Sequence, residues 1–85
     1  MRRTNFTYGQ LDKVLRSLGF TSCLVKGNPP ALVYDHPETG CHIMVPPFPK
    51  DDLMLEYHFA TARFMLDQFG IAEPEAFDAK LQKAG

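Results

Sequence analysis

The stretch ALVYDHPETGCHIMV (residues 31–45) contains two runs of alternating side chains separated by a turn. The turn, Pro37-Glu-Thr-Gly40, has proline early and glycine last, which is typical of a short loop between antiparallel strands. We therefore predict a β-hairpin that pairs the strand from Ala31 to His36 with the strand from Cys41 to Val45.

If Pro37 to Gly40 form a four-residue loop, that loop sets the register of this hairpin; a one-residue slip would exchange the two faces, because side chains alternate along a strand. One face should be apolar and pack against helices, with three cross-strand pairs: His36 with Cys41, Tyr34 with Ile43, and Leu32 with Val45. The other face is mixed and should be open to solvent: Ala31, Val33, Asp35, His42 and Met44.

The segments on either side of the hairpin predict a further strand and three helices. Upstream, residues from Thr7 to Leu18 have a helical apolar repeat, Thr7 and Gln10 fit a capping box, and Gly19 can end the helix. The β-branched and apolar content from Phe20 to Lys26 favours a strand. Downstream, Asp51-Asp52 offer an N-cap for a long helix that runs to Phe69, with an apolar stripe along it: Leu55, Phe59, Ala62, Leu66 and Phe69.

The last segment, from Glu73 onwards, begins with proline in its first turn, which favours a short third helix. Its inner edge should consist of Phe77, Leu81 and Ala84. The order α-β-β-β-α(-α) predicts one α+β domain over residues 1–85. We expect a two-layer sandwich in which a three-stranded antiparallel sheet has the helices on one face.

Composition narrows the class of protein. The 85 residues include nine Lys and Arg against ten Asp and Glu, for a net charge of −1, so the clear basic excess of most nucleic-acid-binding domains is missing.

We expect a cytoplasmic protein, because the polar residues after Met1-Arg-Arg do not form a signal region and no apolar run could span a membrane. The two cysteines, Cys23 and Cys41, are too few for a disulfide scaffold and are expected to be reduced.

The chain resembles the HicA toxins, a family of small RNA-cleaving proteins with a double-stranded-RNA-binding-domain-like (dsRBD-like) fold. The similarity spans nearly the whole chain, and its landmarks in order are Leu18-Gly19-Phe20, Lys26-Gly27, Tyr34-Asp-His-Pro37, Gly40, Val45-Pro46, Pro49-Lys50-Asp-Asp-Leu53, Phe69-Gly-Ile71 and Glu75-Ala-Phe77. The resemblance implies RNA as a binding partner and an antitoxin-like protein encoded beside this one.

The family's cleavage is attributed to a histidine in a Gly-Ser-His motif, where an imidazole can act as general acid or base on the ribose 2′-hydroxyl. The matching positions here are Gly27-Asn28-Pro29. Proline has no titratable group, so the resemblance implies the fold and an RNA site, with Lys26, Gly27, Asn28 and Lys50 as RNA-binding candidates. It does not carry over the usual catalysis.

His42 is the candidate to replace the missing base, because the register places it opposite Asp35 on the open face. A neighbouring carboxylate fixes the tautomer of an imidazole and can make it a usable base. The alternative is a solvated cross-strand pair. We expect His36, which borders the turn before Pro37, to be a surface or edge residue, and His58 to be half-exposed. No phosphate-binding loop, nucleophile elbow or metal-ligand spacing is present in the sequence, so no cofactor or metal is expected.

A second hypothesis is a protein-interaction module that has kept the fold and lost RNA binding. Its basis is the wide apolar stripe of the second predicted helix, which includes Met54, Tyr57, Phe64 and Met65. Apolar surface beyond what one sheet face requires can be a well-covered core, or it can be an interface for a partner or for a homodimer.

Overall fold

A three-stranded antiparallel sheet lies at the centre of the computed structural model, which describes residues 2–84. The eight elements are β1 (Arg3–Thr7), α1 (Tyr8–Ser17), β2 (Thr21–Val25), β3 (Ala31–His36), β4 (Cys41–Val45), β5 (Leu53–Leu55), α2 (Glu56–Gln68) and α3 (Pro74–Lys83). The protein is thus an α+β domain with three helices.

The predicted hairpin is confirmed, including its register. Strand β3 lies between β2 and β4, and the β3–β4 partners are Leu32 with Val45, Tyr34 with Ile43, and His36 with Cys41. Gly40 closes the loop with a φ of 77°, a left-handed conformation that glycine adopts without strain. The turn chemistry and the alternation of side chains therefore determine this part of the fold.

The two faces of the sheet differ in burial as expected. Along β4, Cys41, Ile43 and Val45 are buried, whereas His42 and Met44 between them are exposed. The buried face packs with the helices into one core, whose members are Tyr8, Leu11, Val14, Leu15, Phe20, Tyr34, Cys41, Ile43, Val45, Met54, Ala62, Leu66, Phe77 and Leu81.

Helix α1 has the predicted capping box. The Thr7 hydroxyl accepts the Gln10 amide at 3.1 Å, and the Gln10 side-chain oxygen accepts the Thr7 amide at 2.7 Å. At the other end Gly19 has a φ of 96° and ends the helix. The third helix, α3, is also confirmed, with Pro74 in its first turn and Phe77 and Leu81 fully buried.

The predicted element order was incomplete, and the predicted start of the second helix was wrong. Residues Leu53–Leu55 form β5, which pairs with the N-terminal strand β1, and α2 begins only at Glu56. The backbone of residues 50–52 is hydrogen-bonded to the start of α1. The Lys50 carbonyl accepts the Gly9 amide at 2.8 Å, and the Asp52 carbonyl accepts the Tyr8 amide at 3.0 Å. Residues 50–52 form a turn that these bonds fix against the start of α1, and β5 separates this turn from α2, so the two aspartates do not cap α2.

Helices and strands are all short. Within residues 2–84, none of the helices has the length and apolar character needed to cross a bilayer.

Candidate nucleic-acid interface

The turn between β2 and β3 contains three of the four RNA-binding candidates. Lys26, Gly27 and Asn28 are all exposed, and the Asn28–Pro29 peptide bond is cis. Pro29, at the position of the family's histidine, lines a shallow apolar groove of about 300 Å³ together with Pro30, Ala31, Met44, Val45 and Pro46. This end of the sheet offers one ammonium group and backbone to a ligand, but no titratable base beside Pro29.

Asp35 and His42 form the predicted cross-strand pair on the open face. The two residues are register partners, and His42 Nδ1 is hydrogen-bonded to Asp35 Oδ1. Their side chains are 43% and 66% exposed, so water screens the interaction and its contribution to stability is at most a few tenths of a kcal/mol. The pair has the geometry of a positioned imidazole, yet it lies on an open surface.

The structure does not bring this pair together with the β2–β3 turn. Asp35 is four residues along β3 from Ala31, where the turn ends, and four extended residues span about 13 Å. His42 and Asp35 lie at the end of the sheet beside the β3–β4 loop, whereas Lys26, Gly27 and Asn28 lie at the opposite end. A single atom of a bound nucleotide therefore cannot contact both the Asp35–His42 pair and the β2–β3 turn.

His36 is buried, so its expected position at the surface was wrong. His36 is 6% exposed, and its Nε2 donates to the Leu18 carbonyl at 3.0 Å, while Nδ1 and the Thr39 hydroxyl are hydrogen-bonded at 2.9 Å. The ring thus satisfies a carbonyl at the C-terminal end of α1 and fixes the β3–β4 loop. His36 is a structural residue that joins two elements.

His58 is also buried rather than half-exposed. It is 9% exposed, and its Nδ1 lies 2.7 Å from the Tyr8 hydroxyl. Burial lowers the pKa of His58 below its ordinary value, because the charged imidazolium loses its hydration. Within residues 2–84, no three His, Cys, Asp or Glu side chains come close enough to hold a metal ion.

Lys50, the fourth RNA-binding candidate, belongs to a polar cluster centred on Asp12. The Asp12 carboxylate is 6% exposed and accepts the Tyr34 hydroxyl at 2.7 Å and Arg16 Nε at 3.0 Å, and Lys50 Nζ lies 3.5 Å away. Burial alone would raise the pKa of Asp12, but these two hydrogen bonds and the charges of Arg16 and Lys50 outweigh it and lower the pKa. Asp12 is therefore ionised at neutral pH.

Lys50 also contributes to a basic surface between α1 and α3. One groove of about 500 Å³ is lined by Lys13 and Lys50, and an adjoining groove of about 330 Å³ is lined by Lys13, Lys80 and Lys83. The two share Lys13 and Ala84, so they form one continuous surface, which we call the lysine groove. Its four lysines are exposed, and among residues 2–84 no carboxylate lies within 4 Å of the ammonium groups of Lys13, Lys80 or Lys83.

Contacts between the two helices hold the lysine groove in shape. Gln10 of α1 donates from its side-chain nitrogen to the Leu81 carbonyl of α3 at 2.9 Å, and Leu81 is fully buried beneath it. Arg63 of α2 makes a two-pronged ion pair with Asp78 of α3, at 3.2 and 3.1 Å. Helix α3 is thus anchored on two sides, while Lys80 and Lys83 project from its exposed face.

Sequence reasoning did not find the lysine groove. The spacing of Lys80 and Lys83 does place both on one face of α3, but a pair of lysines near a helix C-terminus is also what a solvated helix end requires. The lysines come next to Lys13 only because α3 packs beside α1, and the sequence pattern does not show this tertiary contact.

A third surface is the outer face of α2. Of the four residues that widened its apolar stripe, Met54 is buried in β5, Met65 is partly buried, and Tyr57 and Phe64 are 67% and 60% exposed. Tyr57 and Phe64 are seven residues apart and therefore lie on the same side of the helix. Phe64 lines a groove of about 330 Å³ that also includes Phe59, Ala60 and Pro74.

Comparison with known proteins adds no family assignment. The chain matches no family model, and searches of curated proteins and of solved structures find no match either.

Proposed function

We propose that this chain is a HicA-like domain that binds RNA without cleaving it. The resemblance in sequence landmarks and the order α1-β2-β3-β4-α2 both support a dsRBD-like fold, to which β1, β5 and α3 are additions. In this proposal the antitoxin-like partner is a protein encoded beside this one.

The observation that carries RNA binding is the lysine groove. Lys80 and Lys83 are separated by about 5 Å along the axis of α3, and Lys13 faces the same groove from α1. Ammonium groups spaced in this way on a rigid surface suit successive phosphates of a nucleic-acid backbone, whose neutralisation releases counterions and drives binding. The positive charge therefore comes from a local cluster and not from the net charge of the chain.

Loss of cleavage follows from the residues near the β2–β3 turn. The resemblance requires an imidazole at position 29, where this chain has Pro29, and His42 lies at the other end of the sheet. Residues 26–30 of the turn include neither a histidine nor a carboxylate that could accept a proton from the ribose 2′-hydroxyl. RNA bound at the lysine groove should therefore remain intact.

Fluorescence anisotropy with a labelled RNA hairpin tests binding, using Lys83→Gln and the matched control Gln68→Glu. Both variants change the net charge by −1, but Gln68 is exposed at the end of α2 and does not line the lysine groove. Lys83→Gln should weaken binding by roughly threefold to tenfold and reduce the slope of log K against log salt by about 0.7–0.9. Gln68→Glu should leave the slope unchanged. Equal losses in both variants, or no binding by the wild type at millimolar RNA, would contradict the proposal.

A cleavage assay tests the second half of the proposal. Wild type, Pro29→His and His42→Ala are incubated with the same RNA, and products are resolved on a denaturing gel. We expect intact RNA with the wild type and with His42→Ala. Cleavage by the wild type that His42→Ala abolishes would identify His42, positioned by Asp35, as a catalytic base and overturn the proposal of an inactive domain.

The outer face of α2 favours a second candidate function, a protein-interaction module. Tyr57 and Phe64 expose two large aromatic side chains on one side of a helix, which is the residue type enriched at protein interfaces. Co-expression with the adjacent antitoxin-like protein, followed by size-exclusion chromatography, tests this function. A complex that Phe64→Ser abolishes while RNA affinity is unchanged would support the module, and a complex that survives Phe64→Ser would exclude this surface as its interface.

A further inference from the structure

A shallow groove of about 330 Å³ lies between α2 and the first turn of α3. Its apolar lining consists of Phe59, Ala60, Phe64 and Pro74. Phe64 is 60% exposed, whereas Phe59 is partly buried. The Phe59 ring stacks on Phe6 and Phe77, with centroids 6.0 and 5.9 Å apart. The floor of the groove is therefore held in place before any ligand binds, which reduces the entropy cost of binding.

Carboxylates lie at both ends of this groove. Glu56 and Asp67 line it, 11 residues and therefore about 16 Å apart along α2, on the same side of the helix. Both are exposed, and within residues 2–84 no Lys, Arg or His nitrogen lies within 4 Å of either carboxylate. Arg63, which also lines the groove, is bonded to Asp78. The groove thus has an apolar centre and, at each end, a negative charge that the described residues do not neutralise.

The acidic character extends beyond the groove. Residues 56–78 contain five Asp and Glu side chains and one Arg, whereas the rest of the chain has five Asp and Glu against eight Lys and Arg. At physiological ionic strength the Debye length is about 8 Å, so a ligand in the groove interacts chiefly with the charges near it. The groove therefore attracts positive charge and repels negative charge, although the chain as a whole is nearly neutral.

We propose that this groove binds a segment of a partner protein in which a large apolar side chain has Lys or Arg on either side. The apolar side chain enters the groove over Ala60, beside Phe59 and Phe64. The basic side chains pair with Glu56 and Asp67. An apolar centre with a charged rim is the usual arrangement of a protein interface. This inference rests on the second candidate function, the protein-interaction module on the outer face of α2, and gives the chemistry of its partner.

Charge distinguishes this occupant from the others that an apolar groove could take. A nucleic acid or an acidic segment brings negative charge against Glu56 and Asp67, which is unfavourable. A two-fold axis across the middle of α2 makes the two helices antiparallel and places Glu56 of one copy close to Asp67 of the other, so a symmetric dimer brings like charges together. A neutral apolar segment removes water from both carboxylates and supplies no counter-charge. A segment with basic side chains compensates both ends.

Selection from a phage-displayed library of random peptides tests the chemistry of the partner. The full chain is the target, and peptides that still bind Phe64→Ser are discarded, because acidic peptides can bind the lysine groove instead. Phe64 is 60% exposed, so this substitution should leave the fold intact. We expect the remaining peptides to carry Lys or Arg on both sides of a large apolar residue.

Titration calorimetry with a synthetic copy of the most enriched peptide tests the position of the site. Ala60→Arg places a long cationic side chain over the centre of the groove and should weaken binding at least about tenfold. Ala79→Arg is the matched control, because Ala79 is also an exposed helical alanine and does not line this groove. The control should change the affinity by less than about twofold.

A second pair of variants measures the contribution of the rim charge. Glu56→Gln removes one of the two proposed ion pairs and should weaken binding by roughly twofold to fivefold, as expected for an exposed pair. Glu38→Gln, in the exposed loop between β3 and β4, changes the net charge by the same amount and should have no measurable effect.

The outcomes separate this proposal from the function on which it rests. Peptides that need Phe64 but carry no basic residue, or that Glu56→Gln and Glu38→Gln affect equally, would overturn the basic partner and leave the interaction module in place. If no enriched peptide is lost with Phe64→Ser, both are wrong. A dimer in sedimentation equilibrium that Ala60→Arg dissociates and Ala79→Arg does not would identify a second copy as the occupant, and would also overturn the proposal.

Discussion

The Tyr8 hydroxyl connects three elements of the fold, which makes Tyr8→Phe an informative perturbation. Tyr8 is 5% exposed, and its oxygen lies 3.1 Å from the Leu55 amide and 2.7 Å from His58 Nδ1. An amide can only donate, so the hydroxyl accepts from the Leu55 amide, and it makes a second hydrogen bond with His58 Nδ1. Phenylalanine keeps the ring that stacks on Phe48, with centroids 4.8 Å apart, and removes only these two hydrogen bonds.

The magnitude follows from the two groups that lose their partner. A buried polar group left without a hydrogen bond costs about 1–3 kcal/mol. His58 is 9% exposed and should be near the middle of that range, whereas the Leu55 amide is only partly buried and should be near its lower end. We expect Tyr8→Phe to lower the free energy of unfolding by about 2–3 kcal/mol, a large share of the roughly 4–13 kcal/mol that a domain of this size has.

Urea denaturation at pH 7, followed by far-ultraviolet circular dichroism, measures this change. Tyr57→Phe is the matched control, because Tyr57 is 67% exposed and no hydrogen bond of its hydroxyl occurs within residues 2–84. The control should change the free energy of unfolding by less than about 0.5 kcal/mol. If Tyr8→Phe is no more destabilising than Tyr57→Phe, the Tyr8 hydrogen bonds contribute nothing net and the reasoning fails.

Two further predictions concern the other buried polar groups. Burial lowers the pKa of His58 from its ordinary 6.5, so the unfolded chain binds a proton at a pH where the folded protein does not. The free energy of unfolding should therefore fall as the pH drops below about 6.5. Urea titrations at pH 7.5 and pH 5 measure this fall, and His58→Gln should make it smaller. Tyr34→Phe removes the hydroxyl that donates to Asp12 and should lower the free energy of unfolding by about 1–2 kcal/mol. The effect should be smaller than that of Tyr8→Phe, because Arg16 and Lys50 still contact the Asp12 carboxylate. Urea denaturation that shows a larger loss for Tyr34→Phe than for Tyr8→Phe would contradict this ranking.

The hairpin of β3 and β4 could be predicted because its determinants are local. The alternation of side chains and the proline and glycine of the loop all lie within fifteen consecutive residues, and each supports the same register. The capping box of α1 is local in the same sense, since Thr7 and Gln10 are three residues apart. In both cases the interacting residues are close together in the sequence, so the pattern itself identifies which residues pair.

Strand β5 could not be found in this way because its partner lies 50 residues away. The sequence Leu53-Met-Leu55 fits a helix as well as a strand, and only the pairing with Arg3–Thr7 selects the strand. His36 and His58 were misplaced for the same reason. His36 bonds the Leu18 carbonyl, 18 residues away, and His58 bonds the Tyr8 hydroxyl, 50 residues away, and such distant partners help to make burial of an imidazole favourable.

The candidate RNA surface shows why net charge is a weak guide for this chain. Four of its nine Lys and Arg residues line one groove, so a net charge of −1 coexists with a local excess of positive charge. At physiological ionic strength the Debye length is about 8 Å, and charges on the far side of the domain are screened from a ligand in that groove. Of the two carboxylates that line it, Asp12 and Asp51, Asp12 is already bonded to Arg16 and Tyr34. Both carboxylates line the part of the groove beside Lys50, whereas the described residues that line the part with Lys13, Lys80 and Lys83 include no carboxylate. The salt dependence of Lys83→Gln therefore tests the proposal more directly than the affinity of the wild type.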